Sequence, residues 1–155
     1  MTSKLFSPIR MRGLELANRV VVAPMCQYSA DGGSMSDWHI MHLGTLANSG
    51  AGLLIFEATG AELEGRISLG CPALASDDNE RAMKRVVDAC RRFGSAKLGL
   101  QIAHAGRKAS VKLAWEGGAP LAADKAWVTK SASALPFQSD WHTPKAMTLD
   151  EIEAL

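Results

Sequence analysis

Three short segments hold the side chains that chemistry would need, and apolar runs lead into them. Pro24-Met25-Cys26-Gln27-Tyr28 brings a thiol and a phenol, and Gln101 to Arg107 brings an amide, an imidazole and a guanidinium. Glu57-Ala58-Thr59 lies between them in the chain. In α/β folds functional residues collect at the carboxyl ends of strands. Three such segments on one rim suit a planar polar ligand better than they suit hydrolysis. Gln101 leaves an apolar strand, and a buried amide there needs partners that a ligand edge can supply.

Taken singly, most of these residues have a plainer reading. Cys26 alone is a small residue packed at a strand end with no base in view. Tyr28 alone is a loop aromatic with its hydroxyl in water. His39 and His42 are one helical turn apart with no third ligand apparent, which favours helix packing over a metal site. His104 and Arg107 are expected to fix the following loop by hydrogen bonds and ion pairing. Trp115, Trp127 and Trp141 either line a mouth or anchor that loop, and anchoring is the commoner use. Cys71 and Cys90 read as structural.

The elements that must position these groups follow from the pattern of apolar residues. Val20 to Ala23, Leu53 to Phe56 and Leu98 to Ile102 are short buried strands, the first stopped by Pro24. Ile9 to Leu16 alternates weakly around Arg12-Gly13 and suggests a hairpin. Ser36 caps a helix running to about Asn48, with Ile40, Leu43 and Ala47 inward and Gly50 beyond its end. Asp77 and Glu80 form a capping box for a second helix, whose stripe is Met83, Val86, Val87, Cys90 and Phe93 before Gly94. Strand, helix, strand, helix, strand means right-handed βαβ units and a parallel sheet. Consecutive apolar positions in the strands predict cover on both faces.

From His104 to Ala146 the chain is rich in Gly, Pro, Ala, Ser and Trp, and a loop of that length is usually functional. Thr148 and Glu151 then cap a last helix of about two turns, marginal without tertiary packing. Three parallel strands leave bare edges, so the expectation is that the chain continues or that a partner supplies the remainder. The length, 155 residues, is short for a closed (β/α)₈ barrel, typically about 250.

Composition narrows the class. Charged residues are 21%, hydrophobic ones 47%, and the net charge is +1 with basic residues scattered, which fits a globular protein without a nucleic-acid or membrane footprint. No apolar run approaches the roughly 18 residues that span a bilayer, and Met1 to Arg12 lacks a signal-peptide core. Three widely spaced cysteines without a CxxC pair point to a reducing, cytoplasmic compartment and no structural zinc.

Read together, PMCQYSA (Pro24 to Ala30), Asp37-Trp38-His39, Glu57-Ala58-Thr59, Gly65-Arg66-Ile67 and QIAHAGR (Gln101 to Arg107) resemble, in order, the signatures of the Old Yellow Enzyme family. The similarity continues through Trp115-Glu116-Gly117 and Pro144 to Ile152, and Cys26 with Tyr28 points to the bacterial xenobiotic reductase and NADPH dehydrogenase subgroup. The resemblance implies an α/β fold, the first three or so βα units of a TIM barrel after a hairpin that closes its floor. It implies FMN as cofactor and NADPH or NADH as reductant, with hydride passed by the flavin to an enone C=C bond or to a nitro compound. Pro24, Met25 and Ala58 would form a close wall on the isoalloxazine, largely through backbone, and Gln101 would meet the pyrimidine edge. Cys26 would lie beside the reactive edge, tuning potential and fit without acting as a nucleophile. Tyr28 would hydrogen-bond the substrate or shape its site.

A homo-oligomer is also implied. The family's oxyanion-binding His pair, proton-donating Tyr, flavin-side Arg and phosphate loops have no counterparts among these residues, so the chain alone is expected to be inactive. Two rival readings remain: a non-catalytic half-barrel that completes a C-terminal half, and a cofactor-independent lyase or hydrolase using Cys26.

Overall fold

The computed structural model describes residues 3–155. The expected hairpin is present as β1 (Ile9–Met11) against β2 (Leu14–Leu16), antiparallel, with Ile9 opposite Leu16. Arg12 takes the turn at φ 53°, and Leu16 is buried at the far end of the pair.

The first strand of the main sheet, β3, is only Val21–Val22, two residues rather than the four expected. The Val20 carbonyl is engaged by the Gly52 and Leu53 amides before the pairing begins, and Pro24 has no N–H to continue it. Helix α1 (Asp37–Ala47) follows, then β4 (Leu53–Gly60), α2 (Asp77–Phe93) and β5 (Lys97–Ala103). The sheet order is β3-β4-β5 and both pairings are parallel, as the βαβ spacing predicts.

The helix ends obey capping chemistry with two departures. At α1 the Ser36 hydroxyl donates to the Ser29 carbonyl at 2.8 Å, while His39 Nδ1 accepts the Ser36 N–H at 3.0 Å. At α2 the cap is Ser76, whose Oγ accepts the Asn79 N–H at 3.3 Å, one residue before the expected Asp77. Asp77, Asp78 and Glu80 instead fill the first turn and Arg91 and Arg92 the last, where their charges favour the helix dipole.

Leu43 and Ala47 of α1, Leu54 and Phe56 of β4, and Met83, Val86 and Cys90 of α2 make one core, with Val22, Leu98 and Leu100 packed against it. Phe93 does not join it and is 68% exposed. It borders an open groove along α1 lined by Ile40, Gly44 and Thr45, which leaves its ring without cover. Both helices lie on the same face of the sheet. The opposite face, with Val21, Leu53, Ile55, Gly99 and Gln101, has no such layer among the described residues, against the expectation of cover on both faces; in a closed (β/α)₈ barrel it is the face that turns inward.

Beyond β5 the segment to Ala146 is tied down at several points. Val111 bridges to both Ser68 and Pro120, and β6 (Lys130–Ser131) pairs with β7 (Lys145–Ala146). The last helix, α3 (Leu149–Glu153), carries the expected capping box: Glu151 N–H donates to Thr148 Oγ1 and Thr148 N–H to Glu151 Oε2. The architecture is three βα units of a (β/α)₈ barrel, open at both sheet edges among the described residues.

Leu54 is fully buried between the sheet and both helices. Leu54→Ala should lower stability by about 2–5 kcal/mol, read as a shift of the urea midpoint with an unchanged slope.

Candidate functional site

The site grows from an irregularity in β4. Phe56 pairs with Leu100 and Thr59 with Ile102, so Glu57 and Ala58 together stand opposite the single residue Gln101. Two residues against one is a β-bulge, a device that re-aims side chains at strand ends. Here the bulge takes the Glu57 side chain to the helix side and leaves Ala58 half-exposed beside Gln101. The Ala58 backbone lies beside the Cys26 sulfur.

Glu57 is 1% exposed, a burial that a carboxylate tolerates only with partners. Its Oε2 accepts the Gln27 N–H at 3.0 Å, and its Oε1 lies 3.2 Å from Nε2 of the fully buried His39. The second contact is off-line for a hydrogen bond and leaves both atoms without a well-directed partner. His39 therefore packs in the helix as expected, but against a carboxylate. His42 goes elsewhere and stacks on Trp38.

The Pro24–Tyr28 segment is fixed at nearly every residue. Gln27 Nε2 donates to the Met25 carbonyl, Trp38 Nε1 donates to Gln27 Oε1, and Ser29 Oγ donates to the Gln27 carbonyl. Tyr28 has φ 52°, a left-handed conformation uncommon for a non-glycine residue. Its carbonyl packs on Gly70 so closely that a Cβ there would come within 2.4 Å, and Ala30 N–H bonds the Gly70 carbonyl. The Tyr28 ring stands edge-on to Trp115 at 5.8 Å.

Cys71, which the sequence left as structural, faces Cys26 across this junction. The Cys26 thiol is pushed up, first by its hydrogen bond to Cys71, then by burial and by the negative charges of Cys71 and Glu57. Cys71 is drawn the other way, first by Cys26 and then by Ser68, whose Oγ is 3.4 Å from the Cys71 sulfur. Burial, followed by charge on Cys26, Cys71 and Glu57, also raises the Tyr28 phenol.

The six residues expected at a ligand are thus in part brought together. Cys26 contacts the Ala58 backbone, and Ala58 lies opposite Gln101. Pro24, Cys26, Tyr28 and Ala58 are half-buried and Met25 is exposed. Gln101 was expected to be a buried amide, yet it is exposed, because it points from the sheet face that no layer covers. Sequence reasoning missed the clamping carboxylate of Glu57 and the proximity of Cys71. A carboxylate inside an otherwise apolar strand was the available signal for the first; no spacing rule announces the second.

A separate polar cluster holds the loop beyond β5. Lys130 Nζ reaches both Glu62 oxygens at 2.9 Å, and His104 Nε2 meets Glu62 Oε1 at 3.1 Å, as the anchoring reading of His104 predicts. Trp127 donates to the Glu64 carbonyl beneath the Arg66 guanidinium, so it does anchor, whereas Arg107 is exposed. An open cavity of about 290 Å³ adjoins Glu62 and Lys130, but none of the six expected site residues lines it.

With this geometry in view, comparisons with known proteins give one answer. The profile of the NADH:flavin oxidoreductase / NADH oxidase family matches residues 4–155. An NADPH dehydrogenase of Geobacillus sp. (strain WCH70) is 38% identical over 155 residues, covering 99% of this chain and 41% of that protein. An NADH:flavin oxidoreductase of Gibberella zeae is 37% identical over 159 residues, covering 99% of this chain and 38% of that one. Among solved structures, a morphinone reductase in complex with tetrahydroNAD superposes with a TM-score of 0.79 at 26% identity, over 99% of this chain and 43% of its own. Old Yellow Enzyme from Pichia sp. AKU4542 gives 0.77 at 26% identity, over 97% and 39%. The chain spans about two fifths of the length of the relatives it matches.

The Glu62 cluster makes stability depend on pH at both ends. The hydrogen bond from Lys130, followed by that from His104, holds Glu62 below its usual range against burial, and Lys130 is raised by the same bond. The Glu62 contribution is present above the unfolded carboxyl pKa of about 4.3 and is lost as pH falls through the lower folded value. The Lys130 contribution is present below about 10.4 and is lost as pH rises through the higher folded value. Glu62→Gln should flatten both limbs in urea midpoints measured across pH.

Proposed function

The chain belongs to the NADH:flavin oxidoreductase / NADH oxidase family, and from that premise we propose that it forms one wall of the FMN site of an ene-reductase. FMN bound there takes a hydride from NADPH or NADH and delivers one to the β-carbon of an activated alkene such as an enone, with nitro compounds as a second class of acceptor. The remaining strands of the barrel correspond to the three fifths of the relatives that this chain does not span. In this reading residues 1–155 are the N-terminal part of one flavin-binding barrel, in a cytoplasmic homo-oligomer.

The β4 bulge is the observation that carries the proposal. It sets half-exposed Ala58 opposite the exposed Gln101, on the sheet face that a barrel turns inward. Pro24, Met25 and Ala58 offer a close surface of backbone and small apolar groups, which fits a flat ring. The Gln101 amide has no hydrogen-bond partner among the described residues and is free to meet the polar edge of such a ring. A donor at that edge favours negative charge on the reduced ring and so raises its potential. Cys26 lies beside Ala58 and shapes the wall without attacking substrate. Tyr28, fixed by its strained backbone and by Trp115, presents its phenol to the substrate side.

A second reading keeps the same wall without independent catalysis: a half-barrel that acts only when a C-terminal half completes it. The two sheet edges lacking partners among the described residues favour this.

The test is the anaerobic reaction of the flavin-loaded assembly with NADPH and then 2-cyclohexenone. Bleaching followed by reoxidation on adding enone is expected, whereas bleaching with no acceptor turnover would discard the enone assignment. Gln101→Leu should weaken FMN binding about tenfold, roughly 1.4 kcal/mol, and shift the potential negative by about 30 mV for each such 1.4 kcal/mol lost from the two-electron reduced state.

A further inference from the structure

Two N–H groups face the buried Glu57 carboxylate, the first in a directed hydrogen bond and the second close but off-line. One is the Gln27 N–H, 3.0 Å from Oε2. The other is His39 Nε2, 3.2 Å from Oε1. His39 Nδ1 accepts the Ser36 N–H, so Nδ1 carries no proton and the ring's proton is on Nε2. A side chain between two donors must accept on both sides. Carboxylate does so; an amide of the same shape would turn its NH₂ towards one of them.

What the clamp holds is a backbone that does not rest there by itself. Tyr28 is left-handed, and such residues persist where their surroundings over-determine them. Gln27, the residue before it, is fixed at its N–H by Glu57, at its carbonyl by Ser29 and at its side chain by Trp38. Of these anchors only Glu57 comes from the sheet, and it comes from the residue next to Ala58.

We propose that Glu57, as a carboxylate, is the positioning residue of the flavin wall: it registers the Cys26–Gln27–Tyr28 backbone against the β4 bulge. This rests on the flavin reading above. Glu57 touches neither reacting atoms nor cofactor edge in this arrangement and acts through Gln27. Aspartate, one methylene shorter, keeps the charge but falls short of both donors at once.

The test uses the full chain without flavin, so it stands apart from the flavin reading. Hydrogen exchange should find the Gln27 amide protected in the wild type although it lies outside any helix or strand, and Glu57→Gln should speed it at least tenfold. The second readout is the pH profile of Cys26 alkylation by iodoacetamide, mapped by peptide mass. The titratable groups facing Cys26 are Cys71 and Glu57, with Tyr28 adjoining them. Glu57→Gln removes one negative charge and should move the profile to lower pH, a shift that mere loosening elsewhere would not produce. An unprotected Gln27 amide in the wild type overturns the proposal, and that measurement decides the matter if Glu57→Gln fails to fold. A folded Glu57→Gln with unchanged exchange and unchanged profile overturns it as well. Protection at Gln27 with no FMN bound in any assembly would instead discard the flavin reading and leave the clamp in place.

Discussion

A carboxylate removed from water inside a parallel sheet must be answered by donors, and the arrangement of this molecule around Glu57 is that answer. The bulge in β4 turns the side chain off the inward face, α1 supplies His39, and the loop after β3 supplies the Gln27 N–H. These three elements meet at one buried point, so the β3 loop, the strand end and the helix start take up their positions together. The same bulge puts Ala58 beside Gln101, with the Cys26 sulfur near the Ala58 backbone. The surface at Ala58 and Gln101 and the buried clamp at Glu57 are two sides of one irregularity.

Strain and burial are distributed accordingly. The ordinary core, from Leu43 to Cys90, sits under the helices and needs only apolar complementarity. The unusual features gather at the strand ends instead: left-handed Tyr28, a carboxylate oxygen without a well-directed partner, and two thiols facing each other. Local rules tend to be broken where function requires it. The opposite sheet face carries no covering layer among the described residues.

Most of the architecture was legible from periodicity alone. The hairpin, both long helices, the parallel order and the Thr148 capping box stand where apolar spacing and cap residues put them. Periodicity could not see that β3 shortens to two residues, because the Val20 carbonyl is claimed by neighbours distant in sequence. Nor could it tell Ser76 from Asp77 as a cap, since both side chains can accept the same kind of bond. The site was legible in its residue types and their order, which is what the family resemblance reads. The missed parts, the Glu57–His39 contact and the approach of Cys71 to Cys26, depend on packing across dozens of residues.

The most direct measurement of the central claim is a visible absorption titration with FMN. It compares the chain mixed with a polypeptide carrying the remaining three fifths of the Geobacillus relative, in wild-type and Ala58→Phe forms. The account predicts flavin bands that stay with the wild-type mixture and are lost when a phenyl ring occupies the wall. Flavin retained equally by the Ala58→Phe form, or by neither mixture, would contradict the claim that this surface is the flavin wall.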